Sequence, residues 1–369
     1  MIGGINPQMN PQSAFRNPQC RVFFYISGHG FGHAARDIEL IRALMAQSPA
    51  ARVIVRTSVA ERLFAPLRGF DGVDVQRVET DTGITQIDSL TIDEADTVQR
   101  AAEFYGAFDA HVAREASVLT AARADLVVGD IPPLAFAAAA RAGIRSVAIG
   151  NFTWDWIYSI YPAFDREAPE VLPTIRRAYA TTTCALRLPL HGGFEPMAAV
   201  TRDIPFIARQ SSRDPAETRD ALEVGTGLPL VLASFGAYGA DLPVERLLQS
   251  DRFTLVDPRR EPPPGFVYQD LVAAADVVVS KPGYGIVSEC VANQTALLYT
   301  SRGRFVEYEL FVDQMPRFLR CRYISQEDLL AGRWADGVEA LLAQAAPPEN
   351  PRVDGAEAAA DYLLHIPCG

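Results

Sequence analysis

The stretch 276–289, DVVVSKPGYGIVSE, holds the residues whose spacing speaks most directly of chemistry. A β-branched apolar run ends at Ser280, Gly283 and Gly285 bracket Tyr284, and a helix-capable segment follows at once. That order predicts strand, tight turn and helix. At such a turn the first helical amides point outward without partners, the positive end of the helix dipole stands behind them, and glycine lets a bound group come close. The chemistry is anion binding, and a diphosphate fits, with Lys281 adjacent to supply charge. Glu289 falls one helical turn beyond Gly285, where its carboxylate could accept hydrogen bonds from ribose hydroxyls. An ordinary βα connection explains the spacing equally well.

A second glycine loop, SGHGFGHAAR at 27–36, follows another apolar run. A dinucleotide fingerprint needs glycine three positions after Gly30, but His33 stands there, and the next strand ends in Arg56, Thr57 and Ser58 without a ribose-binding acid. Hydride transfer is therefore disfavoured. His29 and His33 lie four apart like metal ligands, yet the residues between them are poor helix formers and no acidic third ligand is near, so no metal is expected. A third turn, SFGAYG at 234–239, again follows a strand pattern and offers its amides to an anion.

Taken together, SKPGYGIVSE at 280–289 and SGHGFGHAAR at 27–36 resemble the GT-B glycosyltransferases. The resemblance is closest to the glycosyltransferase-like N-terminal half of L-arabinokinases and their stand-alone bacterial relatives, and more distant to the peptidoglycan N-acetylglucosaminyltransferase and the UDP-sugar transferases. It runs over nearly the whole chain from Cys20 onward. It implies an α/β GT-B fold: two Rossmann-like, doubly wound domains facing across a cleft. It also implies a nucleotide-sugar donor, with UDP the expected nucleotide, held by Ser234, Phe235, Gly236, Lys281, Gly283, Tyr284, Gly285 and Glu289. His33 matches the histidine of the Gly-His turn in the UDP-sugar transferases. In an inverting transfer such an imidazole takes the proton of the attacking acceptor hydroxyl. Asp130 resembles the acid that orients this base, and His29 matches no such residue but is the other imidazole on the loop. A structural cap on the first helix is the plainer role for His33.

Past the strand at 296–299, the segment 302–309 resembles the region that holds donor-sugar hydroxyls. It departs there from the Asp-Gln pair of the plant enzymes, leaving Glu307 and Glu309 as the substitutes, with a solvated helix face as the alternative. The kinase activity of the arabinokinases belongs to a separate domain, and nothing here resembles its ATP loop. No Asp-x-Asp pair, the metal-diphosphate signature of the other transferase fold, occurs in the chain. The expected function is metal-independent sugar transfer, inverting, without a cofactor, to a hydroxyl acceptor that the sequence does not identify. The rivals are a nucleotide-sugar 2-epimerase and an inactive nucleotide-sugar-binding module.

The elements that must position these residues follow from periodicity. The runs 21–27, 51–57, 73–78, 125–130 and 145–149 read as buried parallel strands, with helices at 34–46, at 96–124 and after the pair Pro132–Pro133. The polar segment 80–95 reads as a long loop. A second series begins at 228–234 and continues through strands at 253–256, 276–279 and 296–299. The predicted organisation is a disordered tail at 1–19, an acceptor domain at 20–205, a linker at 206–227, a donor domain at 228–350, and a terminal helix within 351–369 that packs back on the first domain. Trp154, Trp156 and Tyr158 leave the ligand edge of the first sheet and could line an acceptor pocket by stacking on a sugar or an apolar aglycone. Core packing explains them nearly as well, and a peripheral membrane contact ranks third.

Composition excludes several classes. A net charge of −11 without clustered Lys and Arg argues against nucleic acid and against a general attraction to anionic lipid. No apolar run is long enough to span a bilayer. The 5 cysteines form no CxxC pair or regular spacing, so neither a zinc site nor a disulfide framework is indicated and a cytoplasmic location is expected.

Overall fold

The computed structural model describes residues 20–366 apart from 89, 226, 237 and 238, so the tail expected at 1–19 lies outside the described residues. Its first sheet has seven parallel strands: β1 (Arg21–Ile26), β2 (Arg52–Thr57), β3 (Val73–Arg77), β4 (Leu126–Asp130), β5 (Ser146–Gly150), β6 (Cys184–Arg187) and β7 (Thr201–Asp203). The order is β3-β2-β1-β4-β5-β6-β7. The second sheet has five: β8 (Leu230–Ser234), β9 (Thr254–Val256), β10 (Val277–Ser280), β11 (Ala296–Tyr299) and β12 (Cys321–Tyr323), in the order β12-β11-β10-β8-β9. Strands β4, β5, β10 and β11 are buried along their whole length, as their unbroken apolar runs require when helices cover both faces.

Each sheet reverses its winding at one point, and ligand crevices in such sheets open where the strand order reverses. In the first sheet that point lies between β1 and β4. Ile26 pairs with Asp130, and the Ser27 amide donates to the Asp130 carbonyl at 2.8 Å. In the second it lies between β8 and β10, where Ser234 pairs with Ser280. The glycine loops at 27–36, 234–239 and 280–289 therefore all open at switch points.

The chain passes between the sheets twice. Gly355 N donates to Phe206 O at 2.9 Å and Phe206 N to Arg352 O at 3.2 Å, so outgoing and returning segments run side by side. The terminal helix Gly355–His365 then lies on the helix Phe31–Gln47. The helix expected over 96–124 is two helices, Glu94–Gly106 and Phe108–Ala121, because Ala107 leaves helical geometry just after a glycine. Strands β6, β7 and β12, three or four residues each, are too short to announce themselves by periodicity. No described helix is long and apolar enough to cross a membrane.

Candidate functional site

A cavity of about 1390 Å³ lies between the two sheets, and both switch points open into it. On the first-domain side, Gly30 takes the left-handed conformation (φ 74°) that lets the chain turn from β1 into the helix Phe31–Gln47. One turn in, His33 lines the cavity and sets its Nδ1 2.8 Å from Oδ1 of Asp130 at the end of β4. Arg36, one turn further on the same helix face, grips Asp130 with two donors, Nε to Oδ2 and Nη2 to Oδ1, each at 2.5 Å. Burial alone would raise the Asp130 carboxyl, but the Arg36 guanidinium outweighs it and holds the carboxyl down at about 2. His33 Nδ1 stands 2.8 Å from Asp130 Oδ1 and 3.0 Å from Arg36 Nη2; in the tautomer that donates Nδ1–H to the carboxylate, the lone pair falls on Nε2.

His29 is held differently. Its Nδ1 accepts from the Ile84 amide at 3.2 Å, and its ring stacks beside Phe305 and meets Trp154 edge-on. Burial, followed by the charges of His33, Arg302 and Lys281, pushes it well below the ordinary imidazole range, so it is neutral at pH 7.

Across the cavity, β10 ends at Ser280 and the helix Tyr284–Asn293 starts from Gly283 without any side-chain cap. Its first amides face the N-terminus of the helix Phe31–Gln47: a Cβ on Gly285 would stand 3.3 Å from Gly32 Cα. Two positive helix ends thus converge on one wall. Gly285 serves this close approach of the two domains. Gly283 is extended and a Cβ there would meet only the Arg302 guanidinium at 3.6 Å, pointing at the cavity rather than into packing. Lys281 Nζ reaches over to Gln86 Oε1 at 3.2 Å, and burial, then repulsion from Arg302, lowers its ammonium to about 7. Arg302 itself is buried, donates to Pro282 O at 3.2 Å and lies 3.8 Å over the Phe305 ring. Burial lowers its guanidinium too.

The remaining candidates divide. Ser234, Phe235 and Gly236 line the cavity, Ser234 Oγ lying 2.5 Å from the Tyr268 hydroxyl; Ala237 and Tyr238 of that turn lie outside the described residues. Glu289 also lines it, buried, with Oε1 bound by Arg209 at 2.6 Å; burial raises its carboxyl and Arg209 works against that. Tyr284 turns its hydroxyl away to accept from the Ile207 amide at 3.1 Å, and its ring lies 4.9 Å from the Arg36 guanidinium. Glu307 is buried at the cavity and accepts from Asn151 Nδ2 of the other domain at 2.7 Å.

Two expectations need correction. Glu309 is exposed and outside the cavity, because two positions along the helix Val306–Gln314 carry it about 200° round from Glu307. Trp154 and Tyr158 are 0% and 1% exposed and fill the core beneath the cavity, the Trp154 Nε1 donating to Asp81 at 2.9 Å and the Tyr158 hydroxyl to the Gly83 carbonyl at 2.8 Å. Trp156 packs at the edge of that core against Gly192. None of the three rings lines the cavity.

Among the cavity residues that escaped sequence reasoning are Arg36, Asn151, Arg209 and Arg302. Arg36 was legible, since it stands three positions after His33 on a predicted helix, and Asn151 directly follows a strand on the ligand edge. Nothing local marks Arg209.

No protein-family model matches the chain. Two solved structures align over almost all of it: CalG4, the calicheamicin glycosyltransferase (TM-score 0.59, 15% identity, 94% of this chain and 97% of that one), and UGT89C1 of Arabidopsis thaliana complexed with UDP (TM-score 0.57, 13% identity, 95% and 100%). The fold is GT-B. In sequence, the chain is 30% identical to L-arabinokinase of Arabidopsis thaliana over 362 residues, which is 94% of this chain. It spans 34% of that protein's length. The GT-B likeness covers both sheets and the cleft between them.

Proposed function

We propose that this chain is a glycosyltransferase that moves a sugar from a nucleotide diphosphate sugar, with UDP the nucleotide, to a hydroxyl acceptor with inversion at the anomeric carbon. The observation that carries the reading is the pairing, across one cavity, of an imidazole oriented by a carboxylate with a helix N-terminus flanked by Lys281 and Arg302. GT-B neighbours, one of them solved with UDP, support the donor class.

Nε2 of His33 accepts the acceptor hydroxyl proton as that oxygen attacks the anomeric carbon, and Asp130 stabilises the imidazolium that forms. The leaving diphosphate gathers charge at the Gly283–Gly285 turn, where the helix amides, Lys281 and Arg302 offset it without needing a metal. Glu289, held by Arg209, reaches the ribose hydroxyls, and Glu307 reaches the donor sugar. Release of UDP from UDP-sugars, measured with and without a mixture of hydroxyl acceptors, tests the reading: acceptor-dependent UDP release is expected. An epimerised UDP-sugar formed without acceptor would replace transfer with isomerisation. UDP binding without any turnover would leave a binding module.

A further inference from the structure

We propose that Arg36 is a positioning residue that ties the His33 imidazole to the opposite domain through one unbroken chain of side-chain hydrogen bonds. The geometry stands by itself; the consequence for turnover rests on the sugar-transfer reading above.

The chain begins at Glu307 in the second domain, whose Oε1 accepts from Asn151 Nδ2 at 2.7 Å. Asn151 follows β5, and its Oδ1 accepts from Arg36 Nη1 at 2.9 Å. The guanidinium then spends Nε and Nη2 on the two oxygens of Asp130, and Asp130 Oδ1 meets His33 Nδ1. All five side chains belong to residues no more than 4% exposed. A brace for the fold alone would need only the Arg36–Asp130 pair. The third arm fixes the guanidinium plane against a group that the other domain holds, so the seating of the helix Val306–Gln314 is felt at the imidazole ring.

The charges agree with this role. The carboxyls facing His33 are Asp130 from β4, Asp81 from the loop after β3 and Glu307 from across the cleft, the last two raised by burial; Arg36 is the cation in contact, and the carboxyl of its neighbour Asp37 is pushed well above the ordinary range by burial and by Asp130. His29, on the same loop, is neutral. Arg36 therefore cancels most of the Asp130 charge while leaving its oxygen in place.

Imidazole NMR titration of the full chain tests this without any substrate, because only 5 histidines are present and His33→Gln identifies the signal. In Arg36→Met, Asp130 acts on His33 unopposed and the His33 titration midpoint should move up by about one pH unit or more. A midpoint that stays or falls overturns the proposal. If that variant does not fold, Arg36→Lys keeps the charge and loses the fork: the midpoint should stay within a few tenths while the ring signals shift, and unchanged signals overturn the proposal. Asn151→Ala cuts the chain while leaving Arg36 on Asp130. It should lower turnover about tenfold to a hundredfold, the scale of a misplaced group, with UDP affinity within about twofold. Parental turnover in Asn151→Ala together with unmoved His33 signals would reduce Arg36 to a brace. Absence of turnover in the parent would tell against the transfer reading alone, since the NMR arms do not depend on it.

Discussion

The two walls of the cleft treat charge in opposite ways. On the first-domain wall the buried charges at the switch point answer one another: Asp130 is met by Arg36 and His33, and Arg36 by Asp130 and Asn151. On the second-domain wall Lys281 and Arg302 face the cavity with only neutral oxygens as hydrogen-bond partners, Gln86 Oε1 and Pro282 O, and burial lowers both. A wall whose buried charges balance one another is suited to handling a proton at fixed geometry. A wall that carries excess positive charge at some cost to itself is suited to an anion that arrives from outside. In the proposed function this division gives the acceptor's proton to one domain and the donor's diphosphate to the other.

The largest effect that would sharpen this contrast is at His33. His33→Ala should lower turnover by about a hundredfold to ten-thousandfold, the range of general-base catalysis, while UDP affinity measured by calorimetry stays near the parental value. Equal loss of both would erase the division between the walls.

Next in size is Glu289→Ala on the opposite wall. Removing the carboxylate leaves Arg209 without its partner and should weaken UDP binding by about 1 to 3 kcal/mol, the range for hydrogen bonds to a charged group, with little change in turnover at saturating donor. Parental UDP affinity would return Glu289 to a structural ion pair with Arg209.

A third change tests where the cleft ends. Trp154→Phe should lower unfolding stability by about 1 to 3 kcal/mol, since it leaves a buried Asp81 oxygen unpaired, and should leave the acceptor KM alone. A raised acceptor KM with unchanged stability would put the aromatic run back in an acceptor pocket.

Much of this was legible in the sequence, and the exceptions share a cause. Strands β1, β8 and β10 and the turns after them are written as local pattern, an apolar run followed by glycine, and β4 is marked by its apolar run and the Pro132–Pro133 pair that opens the next helix. His33 and Asp130 could be paired through the family resemblance, since the His33 loop and Asp130 leave strands on one predicted edge. What local pattern cannot carry is direction and partnership across domains. Glu307 and Glu309 are equal in sequence until the helix is docked on one face. Trp154 and Tyr158 follow a ligand edge yet point beneath it, where Asp81 and the Gly83 carbonyl receive their polar ends. Gly285 reads as room for a ligand, whereas its lack of a side chain lets the helix N-termini of the two domains meet. Arg209 comes from the segment expected to be a linker, and its partner Glu289 lies 80 positions away.

The most direct test of the central claim is the proton count on binding UDP. Burial, then Arg302, lowers the Lys281 ammonium to about 7, and a diphosphate beside it would favour the ammonium form, so the complex must hold a proton that part of the free protein lacks. Calorimetric titration near pH 7.5 in buffers of different ionisation enthalpy should show proton uptake with UDP. Affinity should fall as pH rises through 7 and on to the higher value that Lys281 takes in the complex, and uridine should bind far more weakly and without uptake. Lys281→Met should abolish the uptake. Equal affinity for UDP and uridine, or UDP binding with no proton taken up in the parent, would contradict a diphosphate at this turn.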